Sequence, residues 1–204
     1  MKPSINWFGH DAFCITGSKK IYIDPFQLKK KDRADIILIT HTHYDHFSPD
    51  DIAMIMSTNT TIIGPHDTLD KINHIKTMQP GDIIELHGVT IEAVPAYNIG
   101  KKFHPKSNNW LGYIISIDNT RIYHAGDTDH IPEMNKLSNI DIALLPVSGT
   151  YVMTAHEAAQ AALDIQPKLA IPMHYGSIVG TAHDAEIFKR ELSGSIEVQL
   201  LQRQ

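Results

Sequence analysis

Cysteine is nearly absent: Cys14 is the single thiol in 204 residues. That excludes an intramolecular disulfide framework and any metal site built from several cysteines. Positive charge is also short, with 18 Lys and Arg against 23 Asp and Glu for a net charge of −5. The strong positive field that draws a protein to a phosphate backbone is missing, so no nucleic-acid partner is expected. The basic run Lys29-Lys30-Lys31 reads as a solvated loop. No window approaches the roughly 18 uninterrupted apolar residues of a membrane span, and residues 1–18 hold no apolar stretch of signal-peptide length. The expectation is a cytoplasmic protein without membrane contact. Low-complexity segments and fixed-period repeats are missing too, which points to one domain over residues 1–204.

Strand-like and helix-like text alternates along the chain. Ile5 to Phe8, Ala12 to Thr16 and Lys20 to Asp24 are short β-rich runs in the manner of a meander. Asp35 to Thr40 (DIILIT) is continuously apolar at its centre, as in a strand buried on both faces. Ser48-Pro49-Asp50-Asp51 has the order of a helix start. Thr60 to Ile63 predicts a strand and Asp67 to Asn73 a short helix. Hairpins are expected from Asp82 to Pro95 about His87-Gly88, and from Leu111 to His124 about Asp118-Asn119-Thr120. Asp141 to Pro146 and Leu169 to Met173 read as strands, with the capping-box helix from Thr154 to Ile165 between them. Ala182 to Leu192 predicts a helix and Ser195 to Leu201 a last strand.

Histidine is in excess, at 13 residues, about three times ordinary usage. Imidazole is the commonest metal ligand, so placement matters. His41-Thr42-His43-Tyr44-Asp45-His46 directly follows the buried strand. His41 and His43 point the same way in extended backbone, and Asp45 and His46 can address a second ion beside the first. Imidazole and carboxylate donors suit zinc, manganese, nickel and iron. His174 ends the apolar strand LAIPM, at the strand end where ligands gather in α/β sheets. Asp24 is expected to support a metal-bound histidine from behind. Cys14 alternates within a strand as an inert core thiol. His66, His74, His87, His124, His130 and His183 show no such pattern, and His156 lies on a helix face.

HxHxDH after a hydrophobic strand resembles the metallo-β-lactamase superfamily, and further segments agree in order. Ile21-Tyr-Ile-Asp24-Pro25 is similar to its first motif, Tyr123-His-Ala-Gly-Asp127-Thr128 to the motif whose Asp bridges two metals, and Pro172-Met-His174-Tyr-Gly to its final His motif. Trp7-Phe-Gly-His10 resembles a small cytoplasmic branch of metal-dependent hydrolases and the L-ascorbate-6-phosphate lactonase group. The resemblance spans residues 5–190. It implies an α/β fold, an αββα sandwich of two mixed sheets with helices on the outer faces, and places His10 at the cavity against substrate or metal. One departure stands out. Where many members place a ligand His after a strand ending in a Pro-Ala turn, this chain has Tyr97-Asn98. His104 follows six residues after Asn98, and a loop of that length reaches up to roughly 20 Å when extended. His104 is therefore expected to complete the first metal with His41 and His43.

The function implied is hydrolysis of an ester-type bond, phosphodiester or lactone, in a small molecule. One or two divalent transition-metal ions would be held by His41, His43, Asp45, His46, His104, Asp127 and His174. Asp45 would also hold the nucleophile's proton, with His10 beside it in the catalytic role. An iron-dependent redox member is the alternative enzyme, disfavoured because the di-iron type usually has Glu in the place of His43. A non-catalytic metal-dependent binding module is the alternative of another class. Lys101, Lys102, Lys106, Asn108 and Asn109 lie in a loop that could receive a phosphate or carboxylate. The sequence is compatible with a homo-oligomer.

Overall fold

The computed structural model describes residues 2–29 and 32–204, so Lys30 and Lys31 of the basic run lie outside the described residues. Strands β1 (Ser4–Gly9), β2 (Ala12–Thr16) and β3 (Lys20–Ile23) form the antiparallel meander. Strand β3 then runs parallel to β4 (Ile36–Leu38), which continues parallel to β5 (Thr61–Gly64) and β6 (Ile75–Thr77). The second sheet repeats this plan. Strands β7 (Ile83–Leu86), β8 (Val89–Pro95), β9 (Leu111–Ile117) and β10 (Thr120–His124) are antiparallel neighbours. The order then continues in parallel through β11 (Ile142–Pro146), β12 (Leu169–Met173) and β13 (Glu197–Val198).

Period-two alternation decides which layer each side chain serves. In β3, Ile21 and Ile23 join the core between the sheets, whereas Tyr22 faces the outer cluster. In β4, Ile36 and Leu38 face inward, while Ile37 packs outward with Ile52 and Ile55 of helix α1 (Pro49–Ile55). Helices α2 (Ala155–Ile165) and α3 (Ala182–Glu191) pack against each other and against β11 and β12. The result is the expected αββα sandwich of two mixed sheets. Cys14 is buried in the outer cluster, and burial raises its thiol pKa.

Three expectations need correction. Asp67 to Asn73 is not a helix: a single 3-10 turn, His66–Thr68, is followed by irregular turns. Thr68 Oγ1 donates to Pro65 O at 2.6 Å, a local bond that competes with helix propagation, and His74 takes φ +61°. The segment Ile75–Thr77, unread as a strand, pairs with β5. The last strand is limited to Glu197–Val198. Beyond it the chain turns back to the first sheet, where Gln204 N donates to Trp7 O at 3.0 Å.

Candidate metal centre

The loops leaving the ends of β3, β4, β8, β10 and β12, with the β1–β2 turn, converge at one end of the sandwich. They deliver Asp24, His41 to His46, His104, Asp127, His174 and His10 to a common site. The ring nitrogens of His41, His43 and His104 lie within 4.8 Å of one another, and so do those of His10, His46 and His174. Asp127 stands between the trios: its Oδ2 is 3.2 Å from both His104 Nε2 and His174 Nε2, and its Oδ1 is 3.4 Å from His46 Nε2. Asp45 belongs to the second trio, with Oδ2 3.0 Å from His10 Nε2 and 4.0 Å from His46 Nε2.

Behind these rings sits a layer of hydrogen bonds. Buried Asp24 accepts from Thr40 N at 2.8 Å, from Thr40 Oγ1 at 2.5 Å and from His46 Nδ1 at 2.8 Å. Asp24 thus orients His46 and the start of the HxHxDH loop together. Asn98 Oδ1 accepts from His104 Nδ1 at 2.9 Å and from His104 N at 3.1 Å, and Ser148 Oγ lies 2.7 Å from His174 Nδ1. Each of these histidines therefore presents Nε2 to the centre. Asn98, Ser148 and Thr40 were not picked out from the sequence, because no local spacing marks a group that acts by holding another.

Backbone strain concentrates here as well. His10, Asp24 and His174 adopt φ of +51°, +44° and +60°, a region that typically costs about 1–3 kcal/mol for a non-glycine residue and recurs at functional sites. Gly126, just before Asp127, has φ +65°, and a Cβ there would stand 2.7 Å from Leu111 O.

Burial shapes the charges. Desolvation lowers His10 to about 4, and lowers His41 well below its ordinary value. Burial also opposes the charge on His46, yet Asp127, Asp24 and Asp11 around it push it up to about 10. Burial works against the Asp127 carboxylate, but His174 and His46 hold it well below the usual range. Asp11 sits in the turn between β1 and β2. Its carboxylate is fully buried beside Asp127 with neither oxygen bonded, and burial raises its pKa well above normal. Fully buried His124 accepts from Gly126 N at 3.2 Å through Nδ1, leaving Nε2 to donate to Asp11 O at 3.1 Å.

The donor set fits divalent cations. His10 Nε2, His46 Nε2, His104 Nε2 and Asp127 Oδ1 are buried without hydrogen-bond partners, an arrangement a protein interior tolerates only where something else satisfies those atoms. Imidazole nitrogens around a shared carboxylate are what zinc, manganese or nickel would take. Two of the three loop lysines are committed elsewhere. Lys101 Nζ donates to Asp129 Oδ1 at 2.6 Å and to Val152 O at 2.7 Å, and Lys106 Nζ donates to Glu133 Oε1 at 2.7 Å.

Residues 4–174 match the model of the beta-lactamase superfamily domain. The chain belongs to the metallo-β-lactamase superfamily. Among its relatives is a UPF0173 metal-dependent hydrolase of Thermococcus kodakarensis, 37% identical, the match covering 97% of this chain and 96% of that one. A second, from Thermococcus onnurineus, is 36% identical over 97% and 95% of the two chains. A solved structure from Parabacteroides distasonis has a TM-score of 0.89 at 37% identity, covering 98% of this chain and 94% of that one. Igni18, a metallo hydrolase of Ignicoccus hospitalis, has a TM-score of 0.81 at 26% identity, covering 100% of this chain and 96% of its own. The superfamily fold thus accounts for the sandwich and for the shared end at which the loops meet.

Proposed function

We propose that this member of the superfamily is a metal-dependent hydrolase that cleaves an ester-type bond in a small molecule. The observation that carries the reading is the pair of histidine trios arranged about Asp127, with the buried Nε2 atoms of His10, His46 and His104 left without a hydrogen-bond partner. His41, His43, His104 and Asp127 would hold one ion, and Asp45, His46, His174 and Asp127 a second. Bound cations at such a centre lower the pKa of water and polarise the acceptor atom under attack.

The remaining work falls to side chains of the chain itself. Asp45 is partly open to the cavity, its side chain 15% exposed, so Oδ2 can receive the proton of an attacking water. His10, neutral because burial lowers its pKa, lies 3.0 Å from that same oxygen. Asp24, Asn98 and Ser148 fix ring orientation, so little reorganisation is needed when substrate arrives. The cavity of about 300 Å³ suits a small molecule.

Elemental analysis tests the reading, with one to two transition-metal equivalents expected per chain. Turnover should appear when the manganese-, zinc- or nickel-loaded protein is screened against phosphodiesters, lactones and simple esters. Asp127→Ala should lose one equivalent and most turnover while keeping its circular dichroism spectrum. A protein that takes up no metal from excess of all three ions overturns the proposal.

A further inference from the structure

A second cavity lies on the far side of the second sheet from the first. The 3-10 segment Pro132–Lys136 runs beside strands β8 and β10 and leaves between them a space of about 220 Å³. Its apolar walls include Val94 and Pro95 of β8 and Ile131, Met134 and Leu137 around the segment, with Tyr123 of β10 among them. Among the described residues it shares no lining residue with the cavity at the metal centre.

Register sets the direction of Tyr123. Tyr113 Oη donates to Ile39 O beyond the end of β4 at 2.6 Å, so Tyr113 points between the sheets. Its neighbour Ile114 therefore points outward, and Tyr123, the cross-strand partner of Ile114, points outward with it. Tyr123 is 1% exposed, and burial alone raises its pKa, with no charged or hydrogen-bonding neighbour acting on it. Its hydroxyl is thus a buried donor without a protein partner among the described residues, a costly state in an interior. Water is a poor answer, because it needs about two to four polar partners and the aliphatic walls offer it none. Charge favours neither sign of ligand. Glu133 lines the cavity but already accepts from Tyr97 Oη at 2.8 Å and Lys106 Nζ at 2.7 Å, and Lys136, of opposite sign, is exposed to solvent.

We propose that this cavity is a second ligand site, which takes a small uncharged ring compound whose single hydrogen-bond acceptor is bonded by Tyr123 Oη. An apolar cavity of about 150 Å³ is enough to admit benzene, so the present one holds a ring and a short polar substituent. Apolar walls with one placed polar group are the usual make-up of a small-molecule site. The site stands apart from the hydrolase reading and does not depend on it.

Acetophenone and ethylbenzene, alike in shape and differing in the carbonyl, should be titrated into the full chain and followed by amide chemical shifts. We expect saturable shifts at Val94, Ile131 and Met134 with both, larger than any at Tyr44, Phe103 or Ile178 beside the metal centre. Tyr123→Phe should weaken acetophenone binding roughly threefold to tenfold, the net worth of one hydrogen bond, and leave ethylbenzene unweakened. Val94→Phe, which fills the space, should abolish the shifts from both compounds at wild-type metal content. The inference is overturned by an absence of saturable shifts at the cavity, or by their persistence in Val94→Phe. It is equally overturned if Tyr123→Phe fails to weaken acetophenone more than ethylbenzene, or if benzoate binds as tightly as acetophenone.

Discussion

At the scale of single residues, the centre depends on imidazoles whose second nitrogen is already committed. His104 is the sharpest case: its Nδ1 is bonded to Asn98 Oδ1 at 2.9 Å, so Nε2 is the free donor. His104→Ala should lower metal affinity about tenfold or more, and Asn98→Ala should weaken it through the lost orienting bond. Competition with a fluorescent chelator measures both, and unchanged affinity in His104→Ala would move that residue out of the ligand set. His46 gives a pH-dependent prediction. The surrounding carboxylates push it up to about 10, so at pH 7 the metal-free ring is protonated on both nitrogens. Coordination needs Nε2 bare, and loading should release about one proton from His46. Metal affinity should therefore fall as pH is lowered. Calorimetry in buffers of different ionisation enthalpy counts the protons, and a count of zero would contradict the charge assigned to His46. The HxHxDH motif, Asp24, Asp127 and His174 were all legible as candidates, because motif and strand-end position are local. Asp11, Asn98 and Ser148 were not, because their roles exist only through contacts with His46, His104 and His174.

At the scale of elements, helix α2 carries the second sheet's outer cover through small residues, Ala158, Ala159, Ala161 and Ala162. Its start is held by a reciprocal box: Thr154 Oγ1 accepts from Glu157 N at 3.2 Å, and Glu157 Oε2 accepts from Thr154 N at 2.8 Å. Thr154→Ala should destabilise the protein by about 1 kcal/mol in urea unfolding, without a change in metal content. A loss of metal would show that this cap also positions Ser148, which pairs with Thr154 in an isolated antiparallel bridge. This helix was readable from its cap and its alanine run. The 3-10 turn at His66–Thr68 and the edge strand Ile75–Thr77 were not. The first turns on a side-chain bond within the segment, the second on what lies beside it, and neither is written in periodicity.

At the scale of the whole molecule, the tail ties the two sheets together at the site. Having paired with β12 in the second sheet, the chain returns to β1 of the first, where Arg203 Nε donates to Phe8 O at 2.7 Å and Arg203 packs over Gly9. Gly9 leads into the strained turn that presents His10 and Asp11. Arg203→Ala should speed amide hydrogen exchange across residues 9–12 while leaving the exchange of α2 unchanged. Equal exchange in both proteins would show that the turn holds itself. No helix among the described residues is long and apolar enough to cross a membrane.

The sequence by itself determined the run of strands and the candidate ligands, and its resemblance to the superfamily implied the sandwich. The strands and ligands rest on short-range rules: runs of β-formers bounded by turn residues mark strands, and ligands placed at strand ends follow from where strands stop. Only the tertiary structure decided how the ligands divide. His104 was expected beside His41 and His43 on the reach of its loop, and packing of that loop against Asp129 and Tyr151 sets where it lies. The pairing of His10 with His46 and His174, and the place of Asp127 between the trios, depend on two sheets closing over one core. So does the state of two loop lysines, because Lys101 and Lys106 read as free cations until the fold supplied Asp129 and Glu133 to hold them. Local rules choose which groups can act; only closure of the sandwich sets the distances between groups far apart in sequence, and coordination and charge pairing depend on those distances.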